Sequence, residues 1–183
     1  MANVRDVADY LLQLSGREPE TTLITQLHLQ KLLYYVQGWS IALHGNPMFL
    51  DRIEAWTHGP VVPTIYHEFK RHADKPIPIP LDEPALSEDE RGTIASIWEG
   101  YKCYSASGLR NMTHREAPWM EAREGFDSED RCSQEISQGT MRDFFRREFN
   151  RRAMPGLELE RLERAEREFE QGGGIPMEEV FAG

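Results

Sequence analysis

The sequence predicts a mostly α fold: a compact helical domain with one small β-hairpin, followed by a C-terminal helix and an extended tail. Three observations predict it. Apolar residues recur at helical spacing through most of the chain up to residue 150, only one short stretch carries a strand signal, and the composition changes sharply after Met154-Pro155-Gly156. The 183 residues suit one domain with a short appendage, divided as 1–154 and 155–183. A chain of this size buries roughly 70% of the surface it exposes when unfolded, so it needs no covalent staples.

Val4, Val7, Ala8, Leu11 and Leu12 form one face of a first helix, with Asn3 as its cap, Asp6 near its positive end and Gly16 as its stop. A longer helix starts at Thr25. Its stripe is Leu29, Leu32, Leu33, Val36, Trp39 or Ser40, and Leu43, and Gly45-Asn46-Pro47 ends it. Phe49-Leu50, Asp51-Arg52 and Ile53–Trp56 read as a tight hairpin, which must pack on helices to survive. Gly59-Pro60 reads as a turn. Pro63 then opens a third helix that buries Val62, Ile65, Tyr66 and Phe69.

The alternating prolines of Pro76–Pro80 force an extended segment, because each disfavours helix in the residue before it. Ser87 and Glu90 have the spacing of a capping box for a helix with Ile94, Ile97, Trp98 and Tyr101 on its face. Ser105–Thr113 reads as a short helix, Ala117-Pro118-Trp119 as a break, and Glu124–Arg131 as a mobile polar loop. Met141, Phe144, Phe145 and Phe149 mark the last core helix. All four tryptophans, Trp39, Trp56, Trp98 and Trp119, are expected in one core closed by the hairpin.

Leu157–Gln171 is dense in Glu and Arg. The i,i+4 pairs Glu160–Arg164 and Glu163–Arg167 are each worth about 0.2–0.5 kcal/mol, too little to hold so short a helix alone. Leu159, Leu162, Phe169, Ile175, Pro176, Val180 and Phe181 are too apolar for an inert tail and too sparse for a core of their own. With Glu178 and Glu179 they read as a partner-binding segment, hinged at Gly172-Gly173-Gly174 and ordered by what it binds.

The formal net charge of −10 opposes nucleic-acid binding and suits a basic partner. No run approaches the ~18–20 apolar residues of a membrane span, and the Met1–Asp6 start has no apolar signal core. With only Cys103 and Cys132, a cytoplasmic protein is expected. No phosphate loop, dinucleotide fingerprint, nucleophile elbow or zinc-protease helix is present. His28, His44, His58, His67, His72 and His114 read as scattered surface or hydrogen-bonded residues, and Cys103 as a small buried hydrophobe rather than half of a nucleophile pair. No catalytic residue, metal ligand or cofactor is therefore expected. Two other functions stand as alternatives: a hydrolase assembled from His58, His114 and Glu116, and a DNA-binding autorepressor using Arg142, Arg146, Arg147, Arg151 and Arg152. The arginines read more simply as a solvated face diluted by Asp143 and Glu148.

Three stretches carry a resemblance. Ile24–Trp39 contains Leu29-Gln30-Lys31-Leu32-Leu33-Tyr34-Tyr35. Ile53–Tyr66 contains Glu54-Ala55-Trp56 followed by Gly59-Pro60-Val61. The third is Thr113-His114-Arg115-Glu116-Ala117-Pro118-Trp119. In order and spacing they resemble the Panacea domain, the SocA-like antitoxin family with phage-associated GepA-like relatives. The motif residues are Gln30, Lys31, Tyr34, Tyr35, Trp39, Trp56, Gly59, Pro60, Val61, Tyr66, His114, Glu116, Pro118 and Trp119. The resemblance implies a mostly helical binding protein of a type II toxin–antitoxin system that neutralises a cognate protein toxin, or an adaptor that hands the toxin to a protease. Gly174–Ala182 separately resembles the Gly-x-x-Pro-x-Glu-Glu-Val segment of short antitoxins that bind RelE/ParE-type toxins. The implied partners are a basic, RelE/ParE-like toxin, a protease, or a second copy of the chain, with no membrane and no nucleic acid.

Overall fold

The computed structural model describes residues 1–17 and 23–153. They form seven α-helices and one two-stranded sheet: α1 (Val4–Arg17), α2 (Gln26–His44), β1 (Glu54–Trp56), β2 (Gly59–Val61), α3 (Pro63–Phe69), α4 (Glu88–Tyr101), α5 (Ala106–Thr113), α6 (Ala117–Ala122) and α7 (Gln138–Ala153). The mostly helical prediction holds for these residues. The tail residues from Leu159 to Phe181 lie outside them.

The α2 helix is the axis of the molecule. Thr25 caps its start by accepting from the His28 amide, and Gly45, at φ 73°, ends it in the left-handed region that favours glycine. The expected stripe is too narrow a description. Every residue from His28 to Leu43 is buried, because α1, α3, α4, α5, α7 and β2 all pack on α2. The closest approach is at Gly38, where an added Cβ would lie 2.0 Å from Cε2 of Phe145 on α7. Glycine here costs ~1 kcal/mol of helix propensity and permits the packing.

The remaining helices form largely as their sequences dictate. The Ser87 and Glu90 capping box closes in both directions at the start of α4. Ile94, Ile97, Trp98 and Tyr101 are buried, as are Met141, Phe145 and Phe149 on α7, with Phe144 half-buried. Pro76–Pro80 is extended, and the Ile77 amide donates to the Ile24 carbonyl at 2.9 Å.

Four expectations need correction. Cys103 is exposed rather than buried. Gly16 does not stop α1, which continues to Arg17; instead Gly16 makes room for Ile79. The hairpin lies further along than expected: its strands are Glu54–Trp56 and Gly59–Val61, so Gly59-Pro60 is strand and Thr57-His58 is the two-residue turn. Gly59, at φ 94°, supplies the positive φ next to that turn. Ala117-Pro118-Trp119 is not a break but the start of α6, with Pro118 in the first turn, where its missing N–H costs nothing.

Candidate functional site

The three sequence motifs meet at one junction between α2, the hairpin and the α5–α6 corner. A two-stranded hairpin has two exposed edges, and both are closed here. Pro60 opposes Ala55 and offers no N–H on the outer edge of β2, so only its carbonyl needs a partner there. Lys31 Nζ supplies the partner at 2.8 Å, and Gln30 Oε1 accepts from the Val62 amide at 2.7 Å. On the outer edge of β1, the Ala55 amide donates to the Gln134 carbonyl at 2.9 Å and the Ala55 carbonyl accepts from Arg123 Nη1 at 3.0 Å. The hairpin is therefore stapled on both sides, mostly by side chains from helices.

The third motif completes the junction. Trp119 Nε1 donates to the Trp56 carbonyl at 3.0 Å. The His114 ring stacks on Trp119 with centroids 4.1 Å apart, and the Arg123 guanidinium lies 5.1 Å from the same indole. Trp56 packs edge-on against Tyr66. Tyr35 donates its hydroxyl proton to Glu116 Oε1 at 2.9 Å, stacks on Tyr101 at 4.0 Å, and Tyr101 in turn accepts from Trp39 Nε1 at 2.9 Å. A polar and aromatic line thus runs from the corner into the centre of the fold.

Desolvation dominates the electrostatics. Burial, and then the Arg110 charge, push the Lys31 ammonium well below its usual pKa. Burial and the neighbouring Glu116 charge raise the Tyr34 phenol well above its usual value. Burial and the positive charges of Arg110, Lys31, His58 and Arg123 lower His114 to about 4. His28 also falls to about 4, by burial. His28 is only 1% exposed, so it is neither a surface histidine nor, among the described residues, hydrogen-bonded through its Nε2.

The motif residues named from sequence are thus brought together, and most are enclosed. Gln30, Lys31, Tyr34, Tyr35, Trp39, Gly59, Pro60, Val61, Pro118 and Trp119 are buried; Trp56, Tyr66, His114 and Glu116 are half-buried. Three of the four tryptophans are core, and Trp56 sits at its edge. The arrangement can hold a fold together; it offers little reactive surface. His58 is exposed in the hairpin turn, His114 lies flat on Trp119, and Glu116 is engaged by Tyr35. Among the described residues no group of three His, Cys, Asp or Glu is placed to hold a metal ion, and no helix is long and apolar enough to cross a membrane. On α7, Arg142, Arg147 and Arg151 are exposed, with Arg142 paired to Asp143 and Arg151 to Glu148.

Sequence reasoning missed Arg123 and Gln37. Arg123 is 5% exposed and ties the hairpin to the following loop. Its signal was its place four residues after Trp119, where a cation reaches the ring one turn back. Gln37 accepts from the Met48 and Phe49 amides and donates to the Phe49 carbonyl, fixing the chain after α2. A polar residue inside an apolar helix was its only signal.

Comparison with known proteins agrees with this construction. A stretch of 52 residues is 41% identical to antitoxin SocA of Caulobacter vibrioides, covering 28% of this chain and 28% of that protein's length. No solved structure matches. The family model described as antitoxin SocA-like, Panacea domain, matches residues 29–120, half of the chain and a span that runs from Leu29 on α2 through the hairpin to Trp119, and the chain belongs to that family.

Proposed function

We propose that the chain is the antitoxin of a type II toxin–antitoxin pair and neutralises a cognate protein toxin by binding it, without catalysis. Family membership carries this reading. The enclosure of the junction supports the non-catalytic part, since Lys31 is held by the Pro60 carbonyl, Glu116 Oε1 by the Tyr35 hydroxyl, and the His114 ring lies flat on Trp119. The net charge of −10 supports a basic partner in the cytoplasm.

The experiment is co-expression. The gene next to this one is expressed alone and together with the full chain. Toxicity that the chain relieves, with a stoichiometric complex on purification, is the expected result. An innocuous neighbour, or a toxic one that neither binds nor is restrained, overturns the reading. Relief that depends on a host protease would replace direct inhibition by adaptor work.

The tail enters the same proposal as a second contact. Leu159, Leu162, Phe169, Ile175, Pro176, Glu178, Glu179, Val180 and Phe181 would dock on the toxin, each buried apolar anchor contributing about 1.5–3 kcal/mol against an ordering cost of about 2–5 kcal/mol. Truncation after Gly156 and the double change Val180→Asp/Phe181→Asp should weaken protection. Full protection by both would remove the tail from the mechanism.

A further inference from the structure

The outer face of α7 is basic in an acidic chain. The helix holds five Arg against one Asp and one Glu, whereas the whole chain carries a net charge of −10. Phe144, Arg147 and Arg151, at i, i+3 and i+7, share one stripe of it. Phe144 is half-buried against Phe145, and Arg147 and Arg151 are exposed. Arg151 pairs with Glu148 on its own helix, and Arg147 has no ion-pair partner among the described residues. Arg147 and Arg151 are also like charges at i,i+4, which weakens a helix unless an anion answers them.

Thirty residues follow Ala153 in the chain. Met154-Pro155-Gly156 comes first, and Leu157–Gln171 after it is about as long as α7, with six Glu against three Arg. A connection of about two to five residues is what joins two antiparallel helices. Wound as a helix, 157–171 would place Leu159, Leu162 and Phe169 on one stripe and Glu163, Glu166 and Glu170 on the stripe beside it.

We propose that residues 157–171 dock on the outer face of α7 of the same chain, their carboxylates on Arg147 and Arg151 and their apolar stripe against Phe144. Charge and connectivity together select this occupant. The α7 of a second copy would bring arginine against arginine, and a basic partner would do the same. Exposed ion pairs between separate molecules are weak. The short connection at residues 154–156 offsets that, because it raises the effective concentration of the segment to roughly the mM range or above. The contact is a property of the chain alone and does not depend on the toxin-neutralising reading. Where both hold, a toxin that grips 157–171 would first have to lift it from α7.

The test is amide hydrogen exchange of the full chain, read by mass spectrometry over 157–171 with no partner present. The segment should exchange several-fold more slowly at low salt than at ~0.5 M salt. It should lose that protection in Arg147→Glu/Arg151→Glu and regain it when Glu163→Arg/Glu166→Arg is added to the same chain. Both α7 positions are exposed, and unchanged exchange of the α2 amides shows that the core is intact. Rapid exchange of 157–171 in the natural chain overturns the proposal. So does protection that survives the reversal on α7, which would make it the segment's own helix, and so does a loss that the compensating pair fails to restore. Protection that fades on dilution would assign the segment to a second copy and also overturn it.

Discussion

The Lys31 ammonium, wholly buried in the central helix, donates to the Pro60 carbonyl of β2 at 2.8 Å. A lysine is an unusual choice for such a place, because desolvation disfavours its charge. Its long stem, however, reaches across the close approach at Gly59, where an added Cβ would lie 2.8 Å from Lys31 Cε.

Lys31 should make stability rise with pH. Its folded pKa lies well below the usual value of 10.5, so between the two the unfolded chain binds more protons than the folded one. Stability therefore increases across that window and levels off above 10.5. Lys31→Met keeps the stem and removes the titration. The thermal midpoint of the natural chain, minus that of the variant, should grow as pH is raised from neutrality towards 10. A constant difference would mean that Lys31 is not desolvated.

His28 contributes to the acid side, as does His114, which is lowered to the same value. The His28 pKa is about 4 in the fold against 6.5 free, so the unfolded chain gains the proton first as pH falls. The stability it contributes is fully present above pH 6.5 and lost on the way down through 4, amounting to about 3 kcal/mol. His28→Leu should flatten the acid limb of a stability–pH curve by roughly that amount. An unchanged limb would place the acid sensitivity elsewhere.

Gly38 and Phe145 set the distance between α2 and α7. Gly38→Ala forces its Cβ into the Phe145 ring and should cost about 1–3 kcal/mol or more by denaturant titration. Gly38→Ala combined with Phe145→Leu should recover part of the loss. Additive destabilisation in the double variant would show that some other contact fixes the helices.

These residues also show why parts of the molecule were legible before the structure and parts were not. The capping box at Ser87 and Glu90 is a local device, and it forms as written. Pro118 is ambiguous locally, since the same ring that ends one helix suits the first turn of the next. The hairpin was misplaced because its strands are short and their edges are satisfied by Lys31, Gln30 and Arg123, all distant in sequence. Burial around the whole of α2 was invisible because Gln30, Lys31, Gln37 and Ser40 look like a polar face. Each is buried, and Gln30, Lys31 and Gln37 bond to the hairpin segment or to the chain just after α2. Of the candidate site, the burial of Trp39 and Trp119 was expected, whereas the burial of Gln30, Lys31 and Gly59-Pro60 was not.

Arg123 links that enclosed junction to the exposed loop, and its removal should separate the two. Of the four carbonyls it serves, those of Asp127, Ser128 and Asp130 belong to exposed residues and can turn to water. The Ala55 carbonyl belongs to a residue that is 0% exposed. Arg123→Met should therefore cost about 1–3 kcal/mol of global stability, mainly through that one buried acceptor. It should have a larger local effect, because Arg123 gathers all three loop carbonyls whereas Thr57 reaches only that of Asp130. Amide exchange reads the two effects apart. The Phe126 and Asp130 amides, which donate to the Arg123 and Asp127 carbonyls, should exchange much faster in the variant, while amides in α2 should slow or quicken only with global stability. Arg123→Lys, with one ammonium in place of a fork, should protect the loop only partly. If Arg123→Met leaves the loop amides as protected as before, the guanidinium is not what holds the loop.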